Sequence, residues 1–358
     1  MSKRAGLSQT AYQTNGRGKQ NHLYFLRTHK SGSTTIYSLF LRFGYRNNLT
    51  FVLPAKFNST TISIVPFQKG KGYLGAPKGE KYEILCHHTV YNRTGLAGVL
   101  PIDTMYIGLV REPLAHFVSA FIYFKYKFKK KFLVELPGDD VISSITWYLN
   151  NPKLVLPRHT DKNIRQWVHT KNGMAYDFGY PVELIEYGNS IETYEFIERL
   201  DSEFDLVLVL EYLDESLVLM KRMLAWSMKD ILYITYNNKG IINSTHVKNL
   251  LTEGEIQRHR EWESVDFALY NHFKDKLLRR IQNEGMSFHN EVQDFKEARH
   301  AVGQFCYSMQ TADEELHFLA KNSNEEFTIN FYDCKMLKTI GRDFLPLLKG
   351  QKHYRSLI

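Results

Sequence analysis

The sequence contains little cysteine: Cys86, Cys306 and Cys334 are the three in 358 residues. Three cysteines are too few for a disulfide scaffold, and their spacing is not that of a zinc site. Cys306 and Cys334 flank a polar C-terminal stretch and could form one bridge, whereas Cys86 lies in an apolar run and is predicted to be buried. The 14 histidines show no H-E-x-x-H spacing, so no metal site is predicted.

Long hydrophobic runs are also missing. No stretch approaches the length of a transmembrane helix, and residues 1–21 are too polar for a signal peptide. The expectation is therefore either a cytoplasmic chain or one whose membrane anchor lies outside this sequence. Four Asn-x-Ser/Thr sequons, at Asn48, Asn58, Asn92 and Asn243, indicate instead the secretory pathway. These indications are opposed, and both stay open at this point.

The composition is that of a folded protein with a basic surface. Hydrophobic residues make up 43% and charged residues 23%, which allows a sizeable core and argues against wholesale disorder. The formal net charge of +8 suits an anionic ligand, a nucleic acid or an anionic membrane, without choosing among them.

Apolar runs of strand length alternate with segments of helical periodicity after a polar lead-in over 1–21 that is predicted to be disordered. The first run, 22–26, precedes a polar loop and a helix with Ile36, Leu39, Phe40 and Phe43 on one face. Further strands are predicted at 82–86, 105–110, 204–210 and 231–236. This alternation predicts an α/β fold with a mostly parallel sheet flanked by helices.

The chain becomes helical from Thr252, which has capping-box spacing with Glu255. An apolar helical stripe follows and stops before Gly285. We expect one domain over 22–305 and a C-terminal extension over 306–358 of uncertain structure.

The most informative segment joins the first strand to the first helix. A small, hydroxyl-rich loop entering a helix N-terminus is a ready anion site, because unpaired N–H groups and the helix dipole face the ligand. Gly32 lets the backbone approach closely, and Lys30 adds a positive charge. The nucleotide-hydrolysing P-loop is excluded, since it needs a lysine after its second glycine, whereas Lys30 precedes Gly32 and no earlier glycine is present.

The order Lys-Ser-Gly-Ser-Thr-Thr over 30–35 resembles the 5′-phosphosulfate loop of sulfotransferases that use 3′-phosphoadenosine 5′-phosphosulfate (PAPS). The wider phrase, from Thr28-His29-Lys30 to Phe43-Gly44 and Asn48-Leu49-Thr50, resembles the galactose-3-O-sulfotransferase family, which includes the galactosylceramide sulfotransferase. The family often has Thr-Ala-Ser-Ser where this chain has Ser-Gly-Ser-Thr over 31–34. The likeness runs from about Leu23 to about Phe305 and implies a P-loop-like sulfotransferase fold.

The resemblance implies two phosphate sites for PAPS. The 3′-phosphate site follows the strand at 105–110, where Arg111 offers charge-assisted hydrogen bonds and Ser119 a hydroxyl. The 5′-phosphosulfate site comprises Arg27, Thr28, Lys30, Ser31, Gly32, Ser33, Thr34 and Thr35.

The resemblance also places a histidine between these sites, aligned with His88. A histidine at the carboxyl end of a parallel strand lies at the edge where such sheets bind ligands, and its ordinary pKa suits a general base. Strand alternation turns His87 to the opposite face, and Glu211 is a strand-end acid of unknown role. Lys30 would stabilise the departing phosphate, and no metal is demanded.

The implied reaction is sulfuryl transfer from PAPS to the 3-hydroxyl of a terminal galactose on a glycolipid or glycoprotein. The implied location is the Golgi lumen, with membrane association through an anchor absent from this chain and no nucleic-acid partner. Two alternatives remain: another carbohydrate sulfotransferase, acting on glycosaminoglycan, or a non-enzymatic binder of nucleotides or nucleic acid. The basic and aromatic stretch 121–132 is interpreted as a solvated helix end.

Overall fold

The computed structural model describes residues 18–352 and 354, except for 57, 128, 130, 139, 156–167, 186–189 and 235–243. The chain divides into two compact units. The larger unit comprises Asn21–Glu211, Tyr236–Lys276 and Thr339–Ile358, and the smaller comprises Met1–Gln20, Tyr212–Thr235 and Leu277–Lys338. The predicted lead-in over 1–21 lies largely outside the described residues.

The strands, in chain order, are β1 (Leu23–Phe25), β2 (Thr61–Pro66), β3 (Ile84–Leu85), β4 (His88–Val90), β5 (Met105–Val110), β6 (Leu206–Val209), β7 (Leu316–Leu319) and β8 (Glu326–Ile329). The helices are α1 (Ser33–Arg46), α2 (Arg93–Ala97), α3 (Pro113–Ile122), α4 (Lys131–Val134), α5 (Val141–Asn150), α6 (Pro152–Val155), α7 (Gly173–Asp177), α8 (Ser190–Glu203), α9 (Leu213–Leu224), α10 (Met228–Ile231), α11 (Ser244–Lys248), α12 (Glu253–Trp262), α13 (Ser264–Asn283), α14 (Met286–Ser308), α15 (Phe331–Lys338) and α16 (Phe344–Lys352). Shorter turns of 3₁₀-helix lie at Val168–Thr170, Leu210–Tyr212 and Gly341–Asp343, and Tyr123–Lys127 forms a π-helical turn that continues α3.

The larger unit is built on a parallel sheet with strand order β3-β1-β5-β6. β1 lies in the middle of this sheet and is fully buried, because Leu23, Tyr24 and Phe25 are each 0% exposed. The strands predicted at 22–26, 82–86, 105–110 and 204–210 are these four, and the α/β class with a mostly parallel sheet is confirmed. Since parallel strands share their carboxyl ends, the loops after β1, β3, β5 and β6 converge at one edge.

Helix α1 follows β1 and packs by its apolar residues, including Ile36, Leu39 and Phe40, which are each 0% exposed. Phe40 stacks on Phe25 with ring centroids 5.2 Å apart. Helix α3 begins with Pro113 in its first turn, as predicted, and Glu112 caps it by accepting the N–H of Ala115 at 2.8 Å. Both helices that lead away from the carboxyl edge are thereby held against the core.

The smaller unit contains α9, α10, α14, α15 and the antiparallel pair β7–β8. Cys306 and Cys334 form a disulfide in this unit, which answers the question that the sequence left open. The strand predicted at 231–236 is wrong in its described part. Met228–Ile231 forms α10, because Ser227 and Asp230 make a capping box, and 232–234 are not in a strand.

The expectations about membrane helices and about the Asn-x-Ser/Thr sequons can be compared with the structure. No helix among the described residues is long and apolar enough to cross a membrane. Of the four sequons, the one at Asn243 lies outside the described residues. Asn92 uses its side chain to cap α2 and donates from Nδ2 to the carbonyl of Phe67 at 3.0 Å, so this amide is already part of the fold.

Candidate active site

The loop between β1 and α1 turns sharply because two of its residues have left-handed backbone angles. Lys30 has φ +56° and Gly32 has φ +79°. Only glycine fits at position 32, since a Cβ there would lie 2.7 Å from Cδ1 of Leu210, the residue that follows β6. Gly32 is also the N-cap of α1 and supplies no side-chain acceptor for the first-turn N–H groups. These N–H groups are the ones on which the sequence-based prediction of an anion site depends.

The hydroxyl groups of the loop brace it from within. Ser31 and Ser33 both donate from Oγ to the carbonyl oxygen of Thr28, at 3.0 and 2.6 Å. Thr28 itself donates from Oγ1 to the carbonyl of Leu109 in β5 at 2.8 Å. These side chains are buried, so their effect on an anion is to position the backbone N–H groups. Thr34 and Thr35 lie in the first turn of α1 and complete the predicted set.

Two cations accompany this loop. Lys30 lies with Nζ 3.9 Å from the ring centroid of Tyr123. Arg27 is only 7% exposed, and its guanidinium lies 3.8 Å from the ring centroid of Tyr37. Nε and Nη1 of Arg27 have no hydrogen-bond partner among the described residues, and burial lowers its pKa. A buried cation with unused donors is costly unless an anion is bound, so Arg27 fits the predicted phosphosulfate site.

Arg111 connects the two predicted phosphate sites. It follows β5, and its Nη1 donates to the carbonyl oxygen of Lys30 at 3.0 Å. Burial lowers its pKa, and nearby Glu211 and Glu112 oppose that shift. Ser119 lies on α3, which starts two residues after Arg111. The structure therefore brings Arg111 to the loop of Lys30, and its role at the 3′-phosphate stays a prediction.

Glu211, whose role the sequence did not reveal, has a structural contact. Its Oε1 accepts the backbone N–H of Glu112 at 2.9 Å, where the chain leaves β5 for α3. Glu112 in turn lies 3.5 Å from Nζ of Lys248. Glu211 thus holds the connection that carries Arg111.

His88 lies at the same edge with a defined tautomer. Its Nδ1–H donates to the carbonyl oxygen of Arg27 at 2.7 Å, so in the neutral ring Nε2 carries the lone pair. Burial lowers the pKa of His88 well below its usual value, and Arg27 and His29 add to this effect. His87 is completely buried and packs edge-on against Tyr37, with ring centroids 5.2 Å apart. The two histidines thus have different surroundings, but they do not alternate along one strand as predicted, because His87 lies outside the strands and His88 begins β4.

A second imidazole, which the sequence did not single out, stacks on the first. The rings of His29 and His88 are 4.1 Å apart and inclined by 15°. Nδ1–H of His29 donates to the carboxylate of Asp177, which lies 2.9 Å from the ring nitrogen. The same carboxylate accepts the backbone N–H of His29 at 2.6 Å. Asp177 is 1% exposed and sits at the end of α7, so this contact orients both the ring and the loop.

Sequence reasoning missed this pair for an identifiable reason. His29 stands inside the Thr-His-Lys phrase that carried the resemblance, and that position was the available signal. Asp177 is 148 residues away, and no local pattern connects the two. The edge thus holds two imidazoles, the buried guanidinium of Arg27, the half-buried guanidinium of Arg111 and one lysine beside a helix N-terminus.

Comparison with known proteins gives a consistent result. The sequence model of the galactose-3-O-sulfotransferase family matches residues 3–322. Bovine galactose-3-O-sulfotransferase 4 is 31% identical, with 80% of this chain and 70% of that protein aligned. Human galactose-3-O-sulfotransferase 2 is 29% identical over 80% of this chain and 68% of its own length.

Human galactosylceramide sulfotransferase is 28% identical, over 80% of this chain and 64% of its own length. The aligned region therefore spans about two thirds of each of these three relatives. The family match includes the β1–α1 loop and the β5–α3 junction. The chain belongs to the galactose-3-O-sulfotransferase family.

Proposed function

We propose that this chain transfers the sulfuryl group of PAPS to the 3-hydroxyl of a terminal galactose on a glycolipid or glycoprotein glycan. Membership of the family supports the reaction, and the names of the relatives support the acceptor. The main structural support for the proposal is that Lys30, Arg111 and the N-terminus of α1, which has no side-chain cap, lie together at one edge of the sheet. These groups suit a ligand with phosphate groups at both ends.

The donor would be held at two places. The N–H groups of 33 and 34 and the cations Arg27 and Lys30 would bind the 5′-phosphosulfate, and Arg111 with Ser119 would bind the 3′-phosphate. PAPS supplies an activated sulfuryl group and a phosphate leaving group. Lys30 is placed to neutralise charge on that phosphate, which is the electrostatic contribution expected where positioning dominates catalysis. This transfer calls for no metal ion.

The acceptor hydroxyl needs a base, and we retain His88 for this role. Its Nδ1–H is engaged by the Arg27 carbonyl, which leaves Nε2 to take a proton. Its lowered pKa keeps the ring neutral near pH 7 and so able to accept. The ring of His29 is oriented in the same way by Asp177, so His29 is the alternative candidate for the general base.

Substitution of each ring separates the two candidates. His88→Ala is expected to reduce turnover by about a hundred- to ten-thousand-fold with little loss of PAPS affinity. His29→Ala is expected to reduce PAPS affinity as well, because it removes the ring that contacts Asp177, the residue that also holds the backbone of this loop. If His29→Ala abolishes turnover and His88→Ala does not, the base is His29 with Asp177 behind it.

The acceptor and location belong to the same proposal. We propose that the protein acts in the Golgi lumen, in association with the membrane, on galactose-terminated glycans. The basic net charge of +8 is compatible with an anionic cosubstrate.

A sulfate-transfer assay with labelled PAPS tests the function. The panel should contain galactosylceramide, galactose-terminated oligosaccharides, their 3-deoxy analogues and glycosaminoglycan chains. We expect label on the galactosyl acceptors and none on the 3-deoxy analogues. Lys30→Ala should abolish transfer in a folded protein, whereas Lys71→Ala, at an exposed lysine, should not. Transfer to glycosaminoglycan alone would refute the acceptor, and PAPS binding without transfer to any acceptor would refute the enzyme.

A further inference from the structure

A second cluster of chemically active side chains lies beneath the loop. It consists of His116 on α3, Glu263 at the end of α12 and Asp266 on α13. These side chains are 1%, 0% and 0% exposed. One potential ligand atom from each lies within 4.8 Å of those from the other two.

The hydrogen bonds of this cluster leave lone pairs unused at its centre. Nε2–H of His116 donates to the carbonyl oxygen of His29 at 2.9 Å, so Nδ1 carries the lone pair, and Nδ1 has no hydrogen-bond partner among the described residues. Within the same described part of the chain, neither carboxylate oxygen of Glu263 has a partner in hydrogen-bond geometry, although the N–H of Asn172 faces this group. Asp266 accepts the N–H groups of Met174 and Ala175, at 3.1 and 2.7 Å, which orients its carboxylate.

The spacing of these atoms distinguishes a cation site from a hydrogen-bond network. Nδ1 of His116 is 4.0 Å from Oδ2 of Asp266, and Nε2 of neighbouring His259 is 3.8 Å from Oε2 of Glu263. Both separations are too long for hydrogen bonds. Two ligands of one zinc ion, each bonded at about 2.0–2.2 Å, lie about 3–4 Å apart. A small contraction would therefore bring the cluster to coordination distance.

The negative charge of the cluster also favours a bound cation. Two carboxylates buried without water are strongly unfavourable unless a positive charge compensates them. The ammonium group of Lys171 lies nearby, where it donates to the carbonyl of Trp262 at 3.1 Å. A divalent ion among the lone pairs would neutralise both acids and satisfy Nδ1 of His116 in one step.

We propose that His116, Glu263 and Asp266 bind a structural divalent transition-metal ion of the zinc class. His116 would contribute Nδ1, Asp266 Oδ2, and Glu263 both carboxylate oxygens, which gives four donor atoms. One imidazole with carboxylate oxygens in a buried site suits zinc better than magnesium, which retains water.

The consequence of this site reaches the PAPS loop. Metal on Nδ1 of His116 keeps the ring proton on Nε2, where it donates to the His29 carbonyl. The ion would thereby tie α3, α12 and α13 to the residue before Lys30. Its role is structural and independent of the proposed transfer reaction.

Metal analysis of the whole chain tests the proposal. The protein, made without a polyhistidine tag, is incubated with Zn²⁺, separated from free ion by gel filtration, and its zinc measured by mass spectrometry. We expect about one ion per chain in the wild type and in Glu261→Gln, a control at an exposed acid of the same helix. Glu263→Gln should bind zinc at least tenfold more weakly. A chelator should lower the melting temperature of the wild type by several degrees.

Three results would overturn the site. One is folded wild-type protein that retains neither Zn²⁺ nor Mn²⁺ and melts at the same temperature with and without chelator. Another is retention of zinc by Glu263→Gln and His116→Gln at the wild-type level, which would place the ion elsewhere. The third is a Glu263→Gln protein more stable than the wild type saturated with Zn²⁺, which would mean that Glu263 holds a proton. If Glu263→Gln does not fold, the chelator titration of the wild type decides.

Discussion

Replacement of Gly32 by alanine tests the geometry of the phosphosulfate loop. The backbone angle of +79° costs an L-residue about 1–2 kcal/mol, because its Cβ approaches the carbonyl oxygen. The new Cβ would also lie 2.7 Å from Cδ1 of Leu210, so that side chain must move. Overpacking of this kind costs about 1–3 kcal/mol more. We therefore expect Gly32→Ala to destabilise the protein by about 2–5 kcal/mol.

Gly70 provides the matched control. It has the same angle of +79°, but nothing lies within 4 Å of a Cβ added there. Gly70→Ala should therefore cost only the backbone contribution, about 1–2 kcal/mol. Urea unfolding of the two variants measures both costs, and calorimetric titration with PAPS measures the effect on the loop. PAPS affinity should fall in Gly32→Ala and remain unchanged in Gly70→Ala.

The contribution of Leu210 can be isolated by a double-mutant cycle. If crowding is real, Leu210→Ala should recover part of the stability and affinity that Gly32→Ala loses. Equal destabilisation by Gly32→Ala and Gly70→Ala, with no recovery in the double variant, would refute the close approach of β6 to this loop.

Arg111→Ala should weaken binding of PAPS about ten- to hundredfold, and binding of an analogue without the 3′-phosphate far less. Equal losses of affinity for the two ligands would mean that Arg111 acts only through the Lys30 carbonyl. Burial, and to a smaller extent Arg27, lowers the pKa of His87 to about 3. Between about pH 6.5 and 3 the unfolded chain therefore binds a proton that the folded chain does not, and the folded state loses stability as the pH falls through that range. His87→Leu should remove about 2 kcal/mol of the difference in unfolding free energy between pH 7 and pH 5, and an unchanged difference would contradict the burial argument. Reduction of the Cys306–Cys334 disulfide, which closes a loop of 28 residues, should cost about 3 kcal/mol, and Cys306→Ser should make stability insensitive to reductant.

The parts of the fold that sequence predicts are those with local patterns. The strand at 105–110 and the helix after Pro113 are found where their apolar spacing placed them. The loop at 30–35 was recognisable because its chemistry is contained in six consecutive residues. The strand at 231–236 failed for a local reason as well. Its apolar residues suited a strand, but the capping box of Ser227 and Asp230 starts a helix there.

The contacts that complete the candidate site are not local. Asp177 reaches His29 across 148 positions, and His116 reaches the carbonyl of His29 across 87. Neither distance leaves a periodic signal, because the contact depends on the path of the chain between strands. The residue types at the site were thus predictable, whereas their partners required the tertiary structure.

The distance between His29 and Asp177 along the chain also sets a time. A ribosome that adds about 5–20 residues per second needs about 7–30 s to make the 148 residues between them. During that interval the newly made β1–α1 segment lacks the carboxylate that orients it, and β1 lacks β5 for part of it. Parallel pairing of distant strands folds slowly in any case. The anion loop is therefore synthesised among the first structured elements, but it cannot make its contact with Asp177 until about half of the chain has been made.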